Sequence, residues 1–467
     1  MFENMESHDP TLTGLHHDVS EFRGNSREEL LAVIQQLRSE VAALRSTQSK
    51  DATGSEDGQS SELATRRNKK QRIQRPFDFS KYNTRHVALR IAYLGWDYQG
   101  FASQENTDKT IEAELFEALT KTRLIQSRDT ANYSRCGRTD KGVSAFGQVI
   151  SIDLRSNLLE GLGVIQTPGG KACERPGDKT KEIEYTHILN RVLPETIRCL
   201  AWTPVDPGFD ARFSTLHRTY KYFFPRGDLD IQVMQEAAQK LVGDHDFRNF
   251  CKMDVGNGVV NFCRTIISID IAPLDDSEAG YQMYELTVTG QAFLYHQVRC
   301  MVAILFLIGQ HKENSEIIDR FLDIKAQPCK PQYSMASEYP LVLYDCSYTG
   351  IQWIYERGDQ DHNISRLQQM WAQQVVRAIT LKRMLDGLNL APVPAEWTDQ
   401  TPDSSRADNS ATRPWHDVYP SVTNQATFLL LGTSSKSHKP LLDRPVCESL
   451  ENRIKHFAKK RRLDASE

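Results

Sequence analysis

Apolar positions along the chain fall into short, distinct periods. HVALRIAYLG (86–95) places Val87, Leu89, Ile91 and Tyr93 on alternate positions, which predicts a half-buried strand. TIEAELFEALTKTRLI (110–125) has helical spacing, and QVISIDL (148–154) alternates Ile150, Ile152 and Leu154 with Ser151 and Asp153. HRTYKYFF (217–224), YQMYELTVTG (281–290) and LVLYDCSY (341–348) predict further strands. Residues 231–243, the apolar run FLYHQVRCMVAILFLIG (293–309) and residues 363–388 predict helices. Between them, residues 161–181 are rich in Gly, Pro and Lys and predict a long excursion. Strands separated by helices recur twice, which predicts an α+β fold with two related halves.

The ends follow a different pattern. Leu30, Ile34, Leu37, Val41 and Leu44 repeat at spacings of 4, 3, 4 and 3, the seam of a short heptad helix with Ser26 as a candidate N-cap. Residues 46–65 are Ser-, Gly- and Asp-rich and predict disorder. The run RRNKKQRIQR (66–75) carries six cations and no acid, and reads as a solvated charge run, a nuclear-import signal or an RNA-contacting arm. The tail predicts a helix ending in KKRR at 459–462. The expected division is an extension at 1–83, halves at 84–205 and 206–350, and a partly helical extension at 351–467.

Composition narrows the classes. A chain of 467 residues with 39% hydrophobic and 25% charged residues suits two or three folded units. No run approaches the length of a membrane span, and MFENMESHDP is not a signal peptide, so neither insertion nor secretion is expected. Nine scattered cysteines without a C-x-x-C pair argue for reduced thiols in a nuclear or cytoplasmic protein, and against zinc or disulfide frameworks. H-E-x-x-H, Walker A and G-x-G-x-x-G patterns are absent, so no metal, nucleotide or dinucleotide cofactor is expected. The net charge of −4 hides an uneven distribution. Residues 1–65 hold 5 Lys/Arg against 12 Asp/Glu, leaving the remainder at +3.

Candidate chemistry concentrates in YSRCGRTDKGVSAFGQVISIDL (133–154). Arg135, Arg138 and Lys141 surround one carboxylate, Asp140, and Gly137, Gly142 and Gly147 let the backbone bend. Such cations offer phosphate contacts and are expected to lower the pKa of Asp140 and keep it ionised as a nucleophile or general base. Composition alone also fits an ordinary T-D-K-G turn.

R-C-G-R-T-D-K-G-V-S-A is similar to the catalytic motif of the TruA family of tRNA pseudouridine synthases, which has one essential aspartate. YLGWDYQGFASQ (93–104), FDARFSTLHRTYKYFF (209–224), GDHDFRNF (243–250), GQAFLYHQVRCMVAIL (290–305) and LVLYDC (341–346) resemble further family segments in the expected order. The likeness spans roughly residues 85–348. ASQENT (102–107), the Gly-Arg-Thr-Asp form and CKMDVGNGVVNFCRTI (251–266) resemble the eukaryotic branch acting at tRNA positions 38 and 39.

The resemblance implies two ferredoxin-like lobes with a joined antiparallel sheet and a central basic cleft, a homodimer, and tRNA as partner. It implies Asp140, Tyr220 and Arg299 as catalytic residues, and Arg135, Arg138, Lys141 and Leu341 as substrate contacts. Tyr220 would stack on the flipped uracil. Arg299, a cation in an apolar helix, needs a partner, and the family supplies Asp140. Asp140 would attack the sugar, attack the base, or start a glycal route. A non-catalytic tRNA-binding or tRNA-folding protein on the same scaffold is the alternative. A hydrolase reading lacks a second supported carboxylate.

Overall fold

The computed structural model describes residues 77–169, 171–277, 281–391, Leu429 and 438–464. The heptad at 30–44, the polar stretch at 46–65 and the basic run at 66–75 lie outside the described residues. The first elements are β1 (Asn83–Tyr93), α1 (Ile111–Lys121), β2 (Ser134–Arg135), β3 (Ser144–Ser156), β4 (Val164–Ile165), α2 (Tyr185–Asn190) and β5 (Ile197–Pro204). There follow β6 (Thr215–Pro225), α3 (Ile231–Gln239), β7 (Gly243–Asp246), β8 (Cys263–Pro273), β9 (Met283–Gly290), α4 (Gln297–Gly309), α5 (Glu316–Leu322) and β10 (Leu341–Tyr348). The long α6 (Arg357–Asn389) and α7 (Leu450–Asp464) close the chain. No helix among the described residues is long and apolar enough to cross a membrane.

One ten-stranded sheet runs β4-β1-β3-β10-β6-β9-β8-β7, with β2 added to β3 and β5 to β1. Its pairs are antiparallel except at the centre. There β3 and β10 lie parallel through Ser144–Val342 and Ala145–Leu343. The sheet is therefore mixed, not antiparallel throughout as expected from the resemblance. Nearly two hundred residues separate these strands, so no hairpin fixes their relative direction. Gly147 lies close to β10 here: a Cβ on it would fall 2.5 Å from the Tyr344 carbonyl oxygen.

Two apolar clusters flank the junction. The first packs Leu89, Ile91, Ile150 and Ile152 of the sheet against Ile111, Leu115 and Leu119 of α1. The second packs Tyr222, Phe224, Leu286 and Val288 against α3, α4 and α5. Tyr220 packs against both. Every residue of α4 is buried, which accounts for its apolar run. The helix begins four residues later than the sequence pattern predicts, because His296 takes a left-handed backbone (φ 63°) just before it. α3 likewise ends at Gln239, and Gly243 (φ 113°) opens β7.

The C-terminal extension takes part in this packing. Leu429, Leu441 and Leu450 are buried in the second cluster, and Phe457 of α7 packs on it. The N–H of Ser337 donates to the Leu429 carbonyl (2.6 Å). By contrast α6 buries only Asn363, and it is tied to α2 through Asp359, which accepts from Thr186 Oγ1 (2.9 Å).

Candidate active site

Asp140 lies between β2 and β3, four residues before Ser144, where the parallel junction begins. Backbone bonds from the 98–101 segment brace its loop. The N–H of Phe101 donates to the Thr139 carbonyl, and that of Gly142 to the Tyr98 carbonyl, both at 3.2 Å. Tyr93 Oη lies 2.7 Å from Thr139 Oγ1. The two sequence segments singled out above thus form one unit.

Below the loop sits Glu112 of α1, fully buried. It accepts from the Ser103 N–H (2.9 Å), Tyr133 Oη (2.7 Å) and Arg128 Nη2 (3.0 Å), and from Arg135. Burial alone would push its carboxyl up, but these donors carry it below the ordinary value. Arg135 is therefore held against a buried carboxylate, where the sequence suggests a phosphate contact. Arg138 and Lys141 are exposed and make no ion pair or hydrogen bond among the described residues.

Of the three loop glycines, only Gly142 needs its special backbone. Its φ is 78°, and a Cβ would come within 2.7 Å of Glu338 Cγ. Gly147 is needed for space, and Gly137 has nothing within 4 Å. Gly142→Ala is expected to cost about 1–2 kcal/mol of stability from the left-handed backbone alone. Urea unfolding of the variant checks this.

Arg299 is buried on α4 and reaches two carboxylates. Its Nη1 is 3.9 Å from Asp140 Oδ2, and its Nη2 is 2.7 Å from Glu338 Oε2. Its Nε donates to the Ala336 carbonyl (2.8 Å). The expected pairing with Asp140 is thus present, but the nearer partner is Glu338. His296 Nε2 also lies 3.5 Å from Asp140 Oδ2. Burial and the neighbouring Arg299, Lys252 and Lys330 push the imidazole down to about 3, so it is neutral.

The charge state of Asp140 departs from the sequence reading. Its pKa is raised to about 6, not lowered. Burial is the largest cause, and Glu338 adds repulsion, while Arg299 and Lys252 pull the other way. The loop cations cannot lower it: Arg135 faces Glu112, and Arg138 and Lys141 lie out in solvent, where their fields are screened.

Tyr220 sits in the middle of β6, opposite Leu343 of β10 and Val288 of β9. Its ring meets Phe293 edge to face at 5.1 Å. Burial pushes its phenol far up, and the charge of Asp140 adds to this. Leu341 opens β10 opposite Tyr222, so the β10 leucine paired with Tyr220 is two residues further on. Leu341 itself is buried in the second cluster.

The sequence reading missed Glu338, His296 and Lys252. His296 carried a signal, lying three residues before Arg299 in the same apolar run. Glu338 carried none, since it lies in an irregular stretch brought to Arg299 only by the fold.

Asp140 thus combines a raised pKa with a buried arginine at Oδ2, beside a mixed α+β sheet that carries Tyr220 on a central strand. The family model for tRNA pseudouridine synthase matches residues 237–349. The chain is 52% identical over 446 residues to the tRNA pseudouridine(38/39) synthase of Homo sapiens, covering 94% of this chain and 89% of that protein. It is 47% identical over 292 residues to the Saccharomyces cerevisiae protein of the same name, covering 62% and 63%. To tRNA pseudouridine synthase A of Methanosarcina mazei it is 31% identical over 305 residues, covering 65% and 98%. The chain belongs to the TruA family of tRNA pseudouridine synthases, which are isomerases.

Proposed function

We propose that this chain isomerises uridine to pseudouridine at position 38, 39 or both of the tRNA anticodon stem-loop, with Asp140 as the acting carboxylate. The observation that carries the assignment of Asp140 is its position, with Oδ2 facing both Arg299 and His296. The choice of positions 38 and 39 rests on the similarity to synthases of that name.

The reaction breaks the bond from C1′ to N1 and forms one from C1′ to C5. N1 gains a proton and C5 loses one, so substrate and product are isomers and no co-reactant is consumed. Asp140 acts in its ionised form by attack on the sugar, by attack on the base, or by opening a glycal route. Arg299 holds the carboxylate in place while its charge changes. Tyr220 offers an aromatic face to the flipped uracil, and burial keeps its phenol protonated, able to donate a hydrogen bond there.

Flipping the base costs a few kcal/mol. Arg138 and Lys141, without an ion pair or hydrogen bond among the described residues, offset this by gripping phosphates beside the site. Arg135 acts instead through Glu112 on the shape of the loop. The reading extends to two ferredoxin-like lobes meeting between β3 and β10, a homodimer engaging one tRNA with both subunits, and residence in nucleus and cytoplasm.

Mapping pseudouridines in tRNA from cells with and without the protein tests the assignment. Loss at position 38, 39 or both is expected, and unchanged pseudouridine at both would overturn it. Affinity for tRNA is expected to fall steeply between about 50 and 200 mM salt. Lys141→Ala should reduce the slope of log affinity against log salt by roughly one. Filter binding across that range checks both.

A further inference from the structure

We propose that His296 is a positioning residue that fixes which oxygen of Asp140 reacts. In this arrangement His296 and Arg299 hold Oδ2, and Oδ1 is left to act on the uridine. The inference rests on the reading of Asp140 as the acting carboxylate.

The two contacts converge on one atom. His296 Nε2 is 3.5 Å from Oδ2, and Arg299 Nη1 is 3.9 Å from the same oxygen. For both residues the nearest oxygen of Asp140 is Oδ2. A carboxylate held through one oxygen presents the other along a fixed direction, and that orientation is what attack or proton removal requires. Distances of this size suit a site awaiting substrate, where such contacts tighten on binding.

The backbone supports the same conclusion. His296 has φ 63°, in the left-handed region that a bulky residue enters at a cost of roughly 1–2 kcal/mol. No hydrogen bond of its side chain caps α4, so the strain is not explained by capping. The turn places the imidazole three residues from Arg299, against the ring of Tyr295 at 3.8 Å, with little exposure.

The groups facing the imidazole are Asp140, Arg299, Lys252, Lys330 and Tyr295. Among so many cations a neutral ring is the only stable form. A neutral ring 3.5 Å from Oδ2 has an N–H to offer that oxygen as the site tightens on substrate, without cancelling the charge of the carboxylate. A lysine or arginine in its place would pair with Asp140 as an ion and blunt it as a nucleophile or base.

Three variants separate the side chain from the backbone. His296→Gly accepts the left-handed turn and lacks the donor. His296→Asn accepts the turn and keeps an N–H donor. His296→Ala loses both. Single-turnover conversion of a tRNA transcript, tRNA affinity by filter binding, and the pH profile of kcat/KM are measured for each.

The glycine variant is expected to lose roughly 10- to 100-fold in single-turnover rate, with affinity unchanged. Its acid limb should move to higher pH, because a donor to the ionised carboxylate is gone. The asparagine variant should recover most of the rate. A glycine variant at wild-type rate would overturn the proposal, as would a parallel loss of affinity, which would make His296 an RNA contact. Asp140→Asn is run beside them. Conversion by that variant would overturn the reading of Asp140 itself, whereas an inactive Asp140→Asn with a fully active glycine variant overturns only the role of His296.

Discussion

Asp140→Asn is expected to abolish pseudouridine formation and, at pH 7.5, to leave the fold more stable by about 1–3 kcal/mol. The two effects have one cause. A carboxyl whose pKa rises from 3.8 to about 6 on folding penalises the folded state when ionised, by about 3 kcal/mol at the upper limit. The sign follows from proton binding. Below about pH 4 the group is protonated in folded and unfolded chains alike, and no penalty exists. Between about pH 4 and 6 the folded chain holds the proton more tightly, so stability falls as pH rises. Above about pH 6 the whole penalty is present. The asparagine variant should therefore show its stability gain at pH 7.5 and lose it near pH 4. Arg299 stays paired with Glu338 in the variant, so the substitution does not strand a buried cation. Thermal and urea unfolding at both pH values measure this. In the wild type, kcat/KM should fall tenfold per pH step below about 6, as the ionised form is depleted. Full conversion by the asparagine variant, or a variant less stable at pH 7.5, would contradict the account.

Legibility in the sequence differed between elements for physical reasons. β10 matches its predicted range because its ends are marked by the change from an irregular stretch to alternating apolar residues. α4 was visible as an apolar run, but its start was not, because the left-handed turn at His296 uses no glycine to announce it. β5 was missed since seven of its eight residues are buried, so no alternation shows. β8 was missed because its register shifts between Ile266 and Ser268 and breaks the period. In the site, Asp140, Tyr220 and Arg299 are legible through their motifs, and Arg299 lies 3.9 Å from Asp140. Their electrostatics were not legible. A loop rich in cations suggested a depressed pKa, yet one of those cations is spent on Glu112 and the others are solvated. Burial then decides the outcome, and burial is a property of the fold rather than of the loop sequence.

Removal of Arg299 is expected to have the second largest effect, and its sign can be separated from that of removing Glu338. Arg299→Met leaves Asp140 and Glu338 facing each other without the cation between them. Breaking a buried pair by deleting one partner costs about 3–5 kcal/mol. Both carboxylates keep some exposure, so the lower end applies here. The lost attraction also raises the pKa of Asp140 further, since Arg299 is the main group pulling it down. The acid limb of kcat/KM should move to higher pH, and activity at pH 7.5 should fall steeply. Glu338→Gln acts in the opposite direction on Asp140. It removes the repulsion and frees the guanidinium to turn toward Oδ2, so the limb should move to lower pH. The double variant should recover part of the stability lost in Arg299→Met, because the two carboxylates no longer oppose each other. The coupling between the two sites is then on the order of 1 kcal/mol or more, measurable by a double-mutant cycle in urea. A limb unmoved by Glu338→Gln would mean that Arg299 and Glu338 form a pair serving only the fold, and that Asp140 titrates independently of both.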